Sequence, residues 1–565
     1  MKKSVKTGLI IGGVSLILGL AGLFWYLGMS DNKKLIAKIP KDAAVVVKAD
    51  LKSLADKAEF KKWKDLAMFD NMSGDESFFE EVIDNPKKCG VNFLQNAYGF
   101  MSKGDDFFGG VVFGIKDAKD FEETVKRIDS DIEVQKTDGI YTAEVDKGDV
   151  ALVWDKNVAL MYFRDEDDVM DRAKQAFKQD EDMSMLENDT YMEFESLDAD
   201  LGTYLSMKQL QDLSKDLSGD KQEQLKAMEK VEGVGMTVLF EDQQMLVDAT
   251  YYPIEGATPE EISMMQEEGI SDDLMKLISP VQPKGFYAAN MNLDKILSIY
   301  PDLNARMMED GFSLDEFKNG FNGEMSFSLI DIKNKQTIRE VADYDNWEPS
   351  YDFNEVPMKM DTINELTPIY KLNLGVKNRG LIDNLIAKFV AKVNEPEVLD
   401  YEFDEEFDPM FERSFDSYMT PEPVIQEPNA LRYQYNGLEV LELKEDELKW
   451  FYKYDGNYLS ISNDESAFAS QNFTWDEDLE ELLKDKSGSG YMDLNYKNYP
   501  DIERENAKAV QDAKSFLEMF DNMKFSSDGM TAHFEMNFTD SPDHILWRMI
   551  QAIDVQVSNN RRNYN

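Results

Sequence analysis

The feature that most constrains this chain is an uncharged, apolar run near its start. Residues 8–28 contain no charged side chain, and Lys2, Lys3 and Lys6 precede them. As a helix this run would be roughly 31 Å long, which matches the ~30 Å hydrocarbon core of a bilayer. It is also longer than the apolar region of an ordinary secretory signal peptide. We therefore predict a transmembrane anchor over 8–28, preceded by a cytoplasmic tail over 1–7.

Cleavage and orientation leave alternatives open. Small residues at 19–21 and 28–30 have signal-peptidase spacing, so a cleaved leader is the alternative to an uncleaved anchor. Positive charges on the two sides of the run are nearly balanced, because lysines also follow it between positions 33 and 41. A basic start, an apolar run and a long chain form the layout of a signal-anchor. This layout favours a single-pass protein of the bacterial cell envelope with a periplasmic body over a cytoplasm-facing body.

The rest of the chain is strongly acidic. Its net charge of −50 argues against nucleic acid as a partner and against the body lying on an anionic lipid surface. The acidity is explained either by solubility or by loading with divalent cations. Residues 198–202 begin like a calcium loop, but the glycine is misplaced and no glutamate closes the loop. We therefore predict neither a cofactor nor a metal site.

Cysteine and histidine are scarce. The chain has one cysteine, Cys89, and two histidines, His533 and His544. Because histidine is the commonest general base and metal ligand, this scarcity limits nucleophilic catalysis and zinc binding. His533 lies in a predicted strand and His544 at a predicted helix start, so we interpret both as structural or surface residues.

Glycoside hydrolysis needs only two carboxylates, and 111 acidic residues neither exclude nor locate such a pair. Catalytic residues are therefore unknown.

Five strand and helix patterns recur in the same order in the two halves of the body. Asp117 and Asn378, for example, each stand between a strand pattern and a helix with one apolar face, where both are suitable N-caps. A hairpin-turn pattern also recurs, as Asp-Lys-Asn at 155–157 and as Asp-Gly-Asn at 455–457. This order indicates an internal duplication. The alternative is two unrelated domains that share generic patterns.

These patterns predict an α+β fold. We expect two tandem related halves, each a mostly antiparallel sheet with helices on one face, after the N-terminal transmembrane helix. The first half is predicted over 35–280 and the second over 281–548, followed by a polar tail over 549–565.

Two acidic, aromatic-rich insertions distinguish the second half, at about 331–366 and 395–430. Prolines in the later insertion argue against one continuous helix. The insertions are either surface loops packed on their own domain or contacts for an envelope protein or a glycan, since exposed aromatic side chains carry binding energy. The aromatic residues predicted for such a contact are Trp347, Tyr351, Phe403, Phe407, Phe411 and Phe415.

The segment from Ile39 to Leu54 reads IPKDAAVVVKADLKSL. It resembles the opening of a family of uncharacterised bacterial envelope proteins, domain of unknown function 4836, in which I-P-x-D-A-x-x-V-x-x-x-D-L-K-S-L follows a lipoprotein signal. The resemblance implies an envelope location and no assigned activity, so no functional residue carries over. This chain has Leu23 where the lipid-modified cysteine would stand, which favours the transmembrane helix as the tether.

The sequence therefore predicts a membrane-tethered, extracytoplasmic binding or scaffold protein without catalytic activity. The alternative is an envelope hydrolase that acts on glycan or peptide by carboxylate catalysis. A deep cleft lined by two carboxylates would favour the hydrolase, and a shallow groove without such a pair would favour binding.

Overall fold

The structure is a computed structural model that describes most of the chain after the apolar run. The described residues are 32–66, 83, 86–103, 107–128, 132–145, 149–164, 168–214, 228–266, 268–278, 283–299, 308, 311, 313–342, 358–394, 428–444, 448–469, 477–499 and 516–564. The predicted anchor over 8–28 and all six predicted contact residues lie outside these ranges. Within them, no helix is long and apolar enough to cross a membrane.

The chain divides into two compact units. Unit 1 consists of Met1–Gly269, Asn334–Leu366 and Asp476–Asn565, and unit 2 of Ile270–Lys333 and Thr367–Trp475. The predicted halves over 35–280 and 281–548 remain a prediction.

Most strands of the chain belong to unit 1. They are β1 (Ala43–Ala49), β2 (Ala97–Lys103), β3 (Phe107–Gly114), β4 (Val134–Thr137), β5 (Ile140–Val145), β6 (Val150–Trp154), β7 (Val158–Arg164), β8 (Leu201–Ser206), β9 (Val231–Phe240), β10 (Gln244–Pro253), and, later in the chain, β18 (Gly488–Asp493), β19 (Phe520–Ser527) and β20 (Thr531–Phe538). Its helices are α1 (Lys33–Ile36), α2 (Leu51–Lys57), α3 (Ala118–Ile128), α4 (Val169–Phe177), α5 (Asp189–Glu195), α6 (Met207–Ser214), α7 (Pro259–Ile262), α12 (Glu477–Leu483) and α13 (Ile545–Tyr564).

The strands of unit 1 form one antiparallel sheet. Its order is β4-β5-β6-β7-β3-β2-β1-β8-β9-β10-β20-β19-β18. Most neighbours in this order are also neighbours along the chain, as expected for hairpins and meanders. The structure therefore confirms the predicted α+β class with a large antiparallel sheet.

Helices cover both faces of the unit 1 sheet. Along β3, Val112 faces the core that contains α1, α4 and α5, whereas Val111 and Phe113 face the core that contains α2, α3 and α13. The strand β6 is buried along its whole length, as is typical of a strand packed on both sides. The prediction of helices on one face is therefore wrong for unit 1, because its central strands are apolar on both faces.

Unit 2 is smaller and is also built on antiparallel strands. Its elements are α8 (Asp272–Leu277), β11 (Gly285–Asn290), α9 (Leu293–Ile299), α10 (Leu314–Gly320), α11 (Arg379–Val393), β14 (Ala430–Tyr435), β15 (Leu438–Leu443), β16 (Leu448–Asp455) and β17 (Tyr458–Ser462), while β12 (Phe321–Ala342) and β13 (Met358–Val376) have residues in both units. β11 pairs with β12, and β13 pairs with β17, which continues through β16 and β15 to β14. Ile382 of α11 packs against Tyr452 and Leu459 of this sheet.

Short polar side chains start the helices where the sequence predicted them. The Asp117 carboxylate accepts from the N–H groups of Lys119 (2.8 Å) and Asp120 (3.1 Å) at the start of α3. The Asn378 side chain accepts from Leu381 N at 3.3 Å at the start of α11. Each such cap stabilises a helix by about 1 kcal/mol.

The end of the chain differs from its prediction. Residues 549–564, predicted as a polar tail, continue α13. Met549 and Ile550 pack against the core of unit 1, and Ala552 is buried within it. The part of the segment up to Ala552 is therefore packed helix rather than a solvated tail.

Candidate functional site

An open groove of about 750 Å³ in unit 1 is the candidate site. One wall is the 239–244 segment, which includes the turn between β9 and β10. Asp56 and Lys57 at the end of α2 and His544 at the start of α13 complete the lining. Its polar groups come from three elements that are far apart in sequence, so the fold itself assembles the groove.

Asp200 fixes the elements around the groove. Its side chain is only 1% exposed and lies just before β8. Its carboxylate accepts from Lys57 Nζ at 2.7 and 2.9 Å, from Phe240 N at 2.6 Å and from the Ser53 hydroxyl. A buried carboxylate is tolerated only when it is paired and hydrogen-bonded in this way. Asp200 therefore holds the end of α2 against the end of β9.

Lys57 is the cation of the groove, and it already forms an ion pair with Asp200. Its ammonium contacts both carboxylate oxygens of Asp200, and its side chain is 21% exposed. Removing either member of such a pair leaves the other charge desolvated, which costs about 3–5 kcal/mol. Lys57 therefore acts first as a structural partner of Asp200.

His544 is neutral and held by the backbone. Burial, followed by the positive charge of Lys57, lowers the pKa of its imidazole. Its Nδ1 accepts from Leu546 N at 3.2 Å, at the first turn of α13, and the ring also hydrogen-bonds to the backbone of Phe240. The imidazole thus joins α13 to the end of β9. This agrees with its interpretation from the sequence as a structural residue at a helix start.

The turn at the mouth of the groove is tied to the segment before α13. Gln243 Nε2 donates to Ser541 O at 2.6 Å, and Phe538 N donates to Gln243 O at 3.0 Å. Glu241 and Asp242 in the same turn are exposed. The mouth of the groove therefore carries negative charge on a turn whose backbone is fixed.

Asp56, which lines the groove, has a carboxyl with a raised pKa. Partial burial raises this pKa, the positive charge of Lys52 opposes the shift, and Asp50 adds to it. A carboxyl with a raised pKa is a candidate general acid. Asp56 is therefore the residue in the groove that bears on the hydrolase alternative.

The other histidine lies on the sheet. His533 of β20 stands opposite Asp248 of β10, and its Nδ1 lies 2.6 Å from the Asp248 carboxylate. Both side chains are exposed. Across the ranges that the structure describes, no group of three or more His, Cys, Asp or Glu side chains is arranged to hold a metal ion.

Sequence reasoning found some of these residues and missed others. It identified His544 at a helix start, and it treated Asp200 only as part of an incomplete calcium loop. The structure places the Asp200 carboxylate on Lys57 instead. The sequence signal for this ion pair was an aspartate directly before an apolar strand. When such an aspartate is buried, it needs a cation as its partner. The six predicted aromatic contact residues lie outside the described ranges, and their role stays a prediction.

Comparison with known proteins identifies the family. A family model described as Domain of unknown function (DUF4836) matches residues 36–347. The chain belongs to the DUF4836 family. The match begins inside α1 and includes the segment Ile39–Leu54, on which the resemblance was based. The family description assigns no activity, so the groove has no inherited role.

Other comparisons add little to the DUF4836 assignment. No curated protein matches the chain. Among solved structures, crystal forms IV, III and I of TP0453 align at 9%, 8% and 8% identity with TM-scores of 0.25, 0.26 and 0.24. The alignments cover 38%, 41% and 43% of this chain and 79%, 82% and 90% of TP0453. At these TM-scores the likeness carries no argument about the present chain.

Proposed function

We propose that this DUF4836 protein is a membrane-tethered, non-catalytic binding protein of the bacterial cell envelope. Residues 8–28 serve as the tether, and the body lies in the periplasm. The sequence supports the tether through the length and lack of charge of the run. An envelope protein or a glycan is the partner class, and the groove in unit 1 is its binding site.

This proposal rests on Lys57 and His544, the basic residues of the groove, because both already bind other groups of the protein. A general acid or base must exchange a proton with a substrate within hydrogen-bond reach. Lys57 is paired with the buried Asp200 carboxylate, and His544 hydrogen-bonds to two backbone groups. A groove whose basic groups are used internally offers shape and negative charge to a ligand, and these are properties of a binding surface.

The raised pKa of Asp56 favours the alternative, an envelope hydrolase. A retaining or inverting glycosidase would need a second carboxylate at a defined separation from this one. If Asp56 were the acid, the full chain would release soluble fragments from purified cell-wall glycan, and Asp56→Asn would abolish the release. We expect no release above that of buffer alone. Release that depends on Asp56 would establish the hydrolase.

We also propose that the two halves arose by duplication. Strand pairings in the two halves correspond in order, which supports this proposal. The corresponding pairs are β1–β2 with β11–β12, β3–β7 with β13–β17, β7–β6 with β17–β16, β6–β5 with β16–β15, β5–β4 with β15–β14, β8–β9 with β18–β19, and β9–β10 with β19–β20.

Individual hydrogen bonds support the duplication as well. Ile115 N donates to Asn157 O at 2.7 Å, and Val376 N donates to Asn457 O at 2.7 Å. Ile115 directly follows β3 and Val376 is the last residue of β13, and each is tied to the turn of a following hairpin. Unrelated domains that share only generic strand–helix patterns would have no reason to repeat this contact.

Site-specific photo-crosslinking in cells tests the binding site. A photoreactive residue replaces Glu241 at the mouth of the groove in the full chain, and in a matched variant it replaces Glu480 on α12, which is also exposed and acidic. We expect Glu241 to give a discrete adduct with an envelope protein or glycan that Glu480 does not give. The same adducts from both positions, or none from Glu241, would contradict the proposed site.

A further inference from the structure

The first described residues after the apolar run pack into the core of unit 1. In α1, Leu35 and Ile36 are 0% and 1% exposed, and Ile39 just beyond it is 0% exposed. All three belong to one core cluster with strands of the unit 1 sheet. Just before these residues, Asn96 N donates to Asn32 Oδ1 at 3.3 Å. Asn32 is therefore held against unit 1.

Polar contacts fasten the end of the same segment. Lys38 Nζ donates to the carbonyl of Phe177 at the end of α4, at 2.5 Å, and its ammonium lies 5.0 Å from the centre of the Phe177 ring. Gln179 Nε2 donates to Ala37 O at 3.0 Å. Lys38 is one of the lysines that follow the apolar run, and it is used within the fold rather than offered to solvent.

Very little chain separates this fixed point from the apolar run. The run ends at Gly28, and three residues precede Asn32. Because a chain extends at most about 3.6 Å per residue, Asn32 lies within roughly 14 Å of the end of the run. The headgroup layer on one side of a bilayer is roughly 5–8 Å deep, so Asn32 lies within this layer or no more than about 9 Å beyond it.

The surface around Asn32 is suited to that layer. Lys33 and Lys34 are exposed on the first turn of α1. Exposed lysines that follow an apolar span commonly lie among headgroups. Nearby, Lys41 N donates to Met183 O at 3.0 Å, and the Met183 side chain is 62% exposed. We call these residues, Asn32, Lys33, Lys34, Lys41 and Met183, the α1 surface.

We propose that the α1 surface contacts phospholipid headgroups, so that the body is held against the bilayer in one orientation. The inference rests on the proposed tether over 8–28. The short connection between the apolar run and Asn32 supports phospholipid headgroups as the ligand of this surface. Charge does not distinguish it, because Asp42, Glu181 and Asp182 also lie in this part of the fold and are exposed. The face of the unit 1 sheet that carries α3 points away from the membrane.

Lipid-quenching of a fluorophore tests the orientation. The full chain, with the buried Cys89 replaced by alanine, is labelled at Lys34→Cys or at Lys126→Cys and reconstituted into vesicles of phosphatidylethanolamine and phosphatidylglycerol. Lys126 is exposed on α3, on the opposite face of the sheet from α1. Helix layers on the two faces of a sheet are roughly 20 Å apart. We expect a headgroup-attached quencher to act more strongly at position 34 than at position 126.

Flotation of the same vesicles distinguishes a failure of the tether from a failure of the proposed orientation. Protein that does not float with the vesicles contradicts the tether and with it the proposed function. Protein that floats but is quenched equally at both positions contradicts the orientation alone. A third chain with a flexible insertion of about 20 residues between Ser30 and Asp31 serves as the control, because such a linker reaches far beyond the headgroups. The quenching at position 34 should then fall to the level at position 126, and unchanged quenching would overturn the role of the short connection.

Discussion

The ammonium of Lys48 lies 3.9 Å from the carboxylate of Glu195 inside unit 1, where the two side chains are 3% and 10% exposed. Lys48 Nζ also donates to Glu195 O at 3.0 Å and to Leu197 O at 2.7 Å. These carbonyls belong to the C-terminal end of α5, where a cation is favoured by the helix dipole. The Tyr98 hydroxyl donates to the other carboxylate oxygen at 2.7 Å. One lysine of β1 thus anchors the end of a helix that packs on the sheet.

Replacing this lysine should destabilise unit 1. Lys48→Met leaves the Glu195 carboxylate without its cation and two helix-end carbonyls without a donor. We expect a loss of about 3–5 kcal/mol in the free energy of unfolding, measured from urea unfolding of the full chain in detergent by tryptophan fluorescence. Lys41→Met, at an exposed position on the neighbouring segment, should change it by about 0.5 kcal/mol or less. Equal effects of the two substitutions would contradict the role of the buried pair.

The pH dependence of this pair can be isolated with Glu195→Gln. Burial raises the pKa of the Glu195 carboxyl above its usual value of 4.5, although Lys48 and Tyr98 oppose the shift. The folded chain therefore binds this proton more tightly than the unfolded chain, and the contribution of Glu195 to stability falls as pH rises through the raised pKa. The stability of wild type relative to Glu195→Gln should decrease as pH rises from about 4.5 through the raised pKa. An increase over this range would show that the carboxyl has a lowered pKa.

Lys371 in unit 2 is a second buried lysine. Its Nζ donates to Leu277 O at 2.8 Å, at the end of α8, and Asn373 Nδ2 donates to the same carbonyl at 3.0 Å. Burial, followed by the positive charge of Lys453, lowers its pKa to about 8. The charged form of Lys371 thus lowers stability at neutral pH. The Leu277 carbonyl has Asn373 as a second hydrogen-bond donor.

Lys371→Met should therefore leave stability at neutral pH unchanged or raise it, by up to about 3 kcal/mol. Because the unfolded chain binds the lysine proton up to about pH 10.5 and the folded chain only up to about pH 8, wild-type stability rises between these values. The advantage of Lys371→Met should shrink over this window in urea unfolding experiments. Lys276→Met, 72% exposed on α8, serves as the control. A loss above about 2 kcal/mol at neutral pH would contradict this account.

Two hairpin turns allow a direct comparison of the halves. Asp138 and Gly139 have φ of 52° and 83°, and Asn436 and Gly437 have φ of 52° and 80°. A Cβ added at either glycine would meet no atom within 4 Å, so the cost of alanine is conformational only. We expect Gly139→Ala and Gly437→Ala each to destabilise by about 1 kcal/mol. Gly380→Ala, inside α11 without a positive φ, should be neutral or stabilising. Unequal costs at the two turns would weaken the proposed duplication.

Local structure was largely predictable from the sequence. Asp117 and Asn378 cap the helices at which the sequence placed them, because side-chain caps depend on a few neighbouring residues. The Asp155 side chain accepts from Asn157 N and Val158 N at 2.7 and 2.9 Å, as the turn pattern indicated. These interactions are encoded over three or four residues and so can be read without the fold.

The layering and the site were not predictable in the same way. Apolar runs such as β6 fit a strand covered on one face or on both, and only the packed fold decides between them. The groove is built by Asp200, Lys57 and His544, whose positions in sequence are far apart, and no local pattern joins them. An aspartate before a strand and a lysine at a helix end are common features, so their pairing appears only when β8 is placed beside β9 and near α2.

Protease accessibility of the body tests the central claim, a body tethered on the outer side of the cytoplasmic membrane. Protease is added to cells whose outer barrier has been opened while the cytoplasmic membrane stays intact, and the body is followed with an antibody against α13. The account predicts that the body is digested while a cytoplasmic marker survives, and that it stays with the membrane fraction before digestion. A body that is protected until the cytoplasmic membrane is lysed would contradict the account.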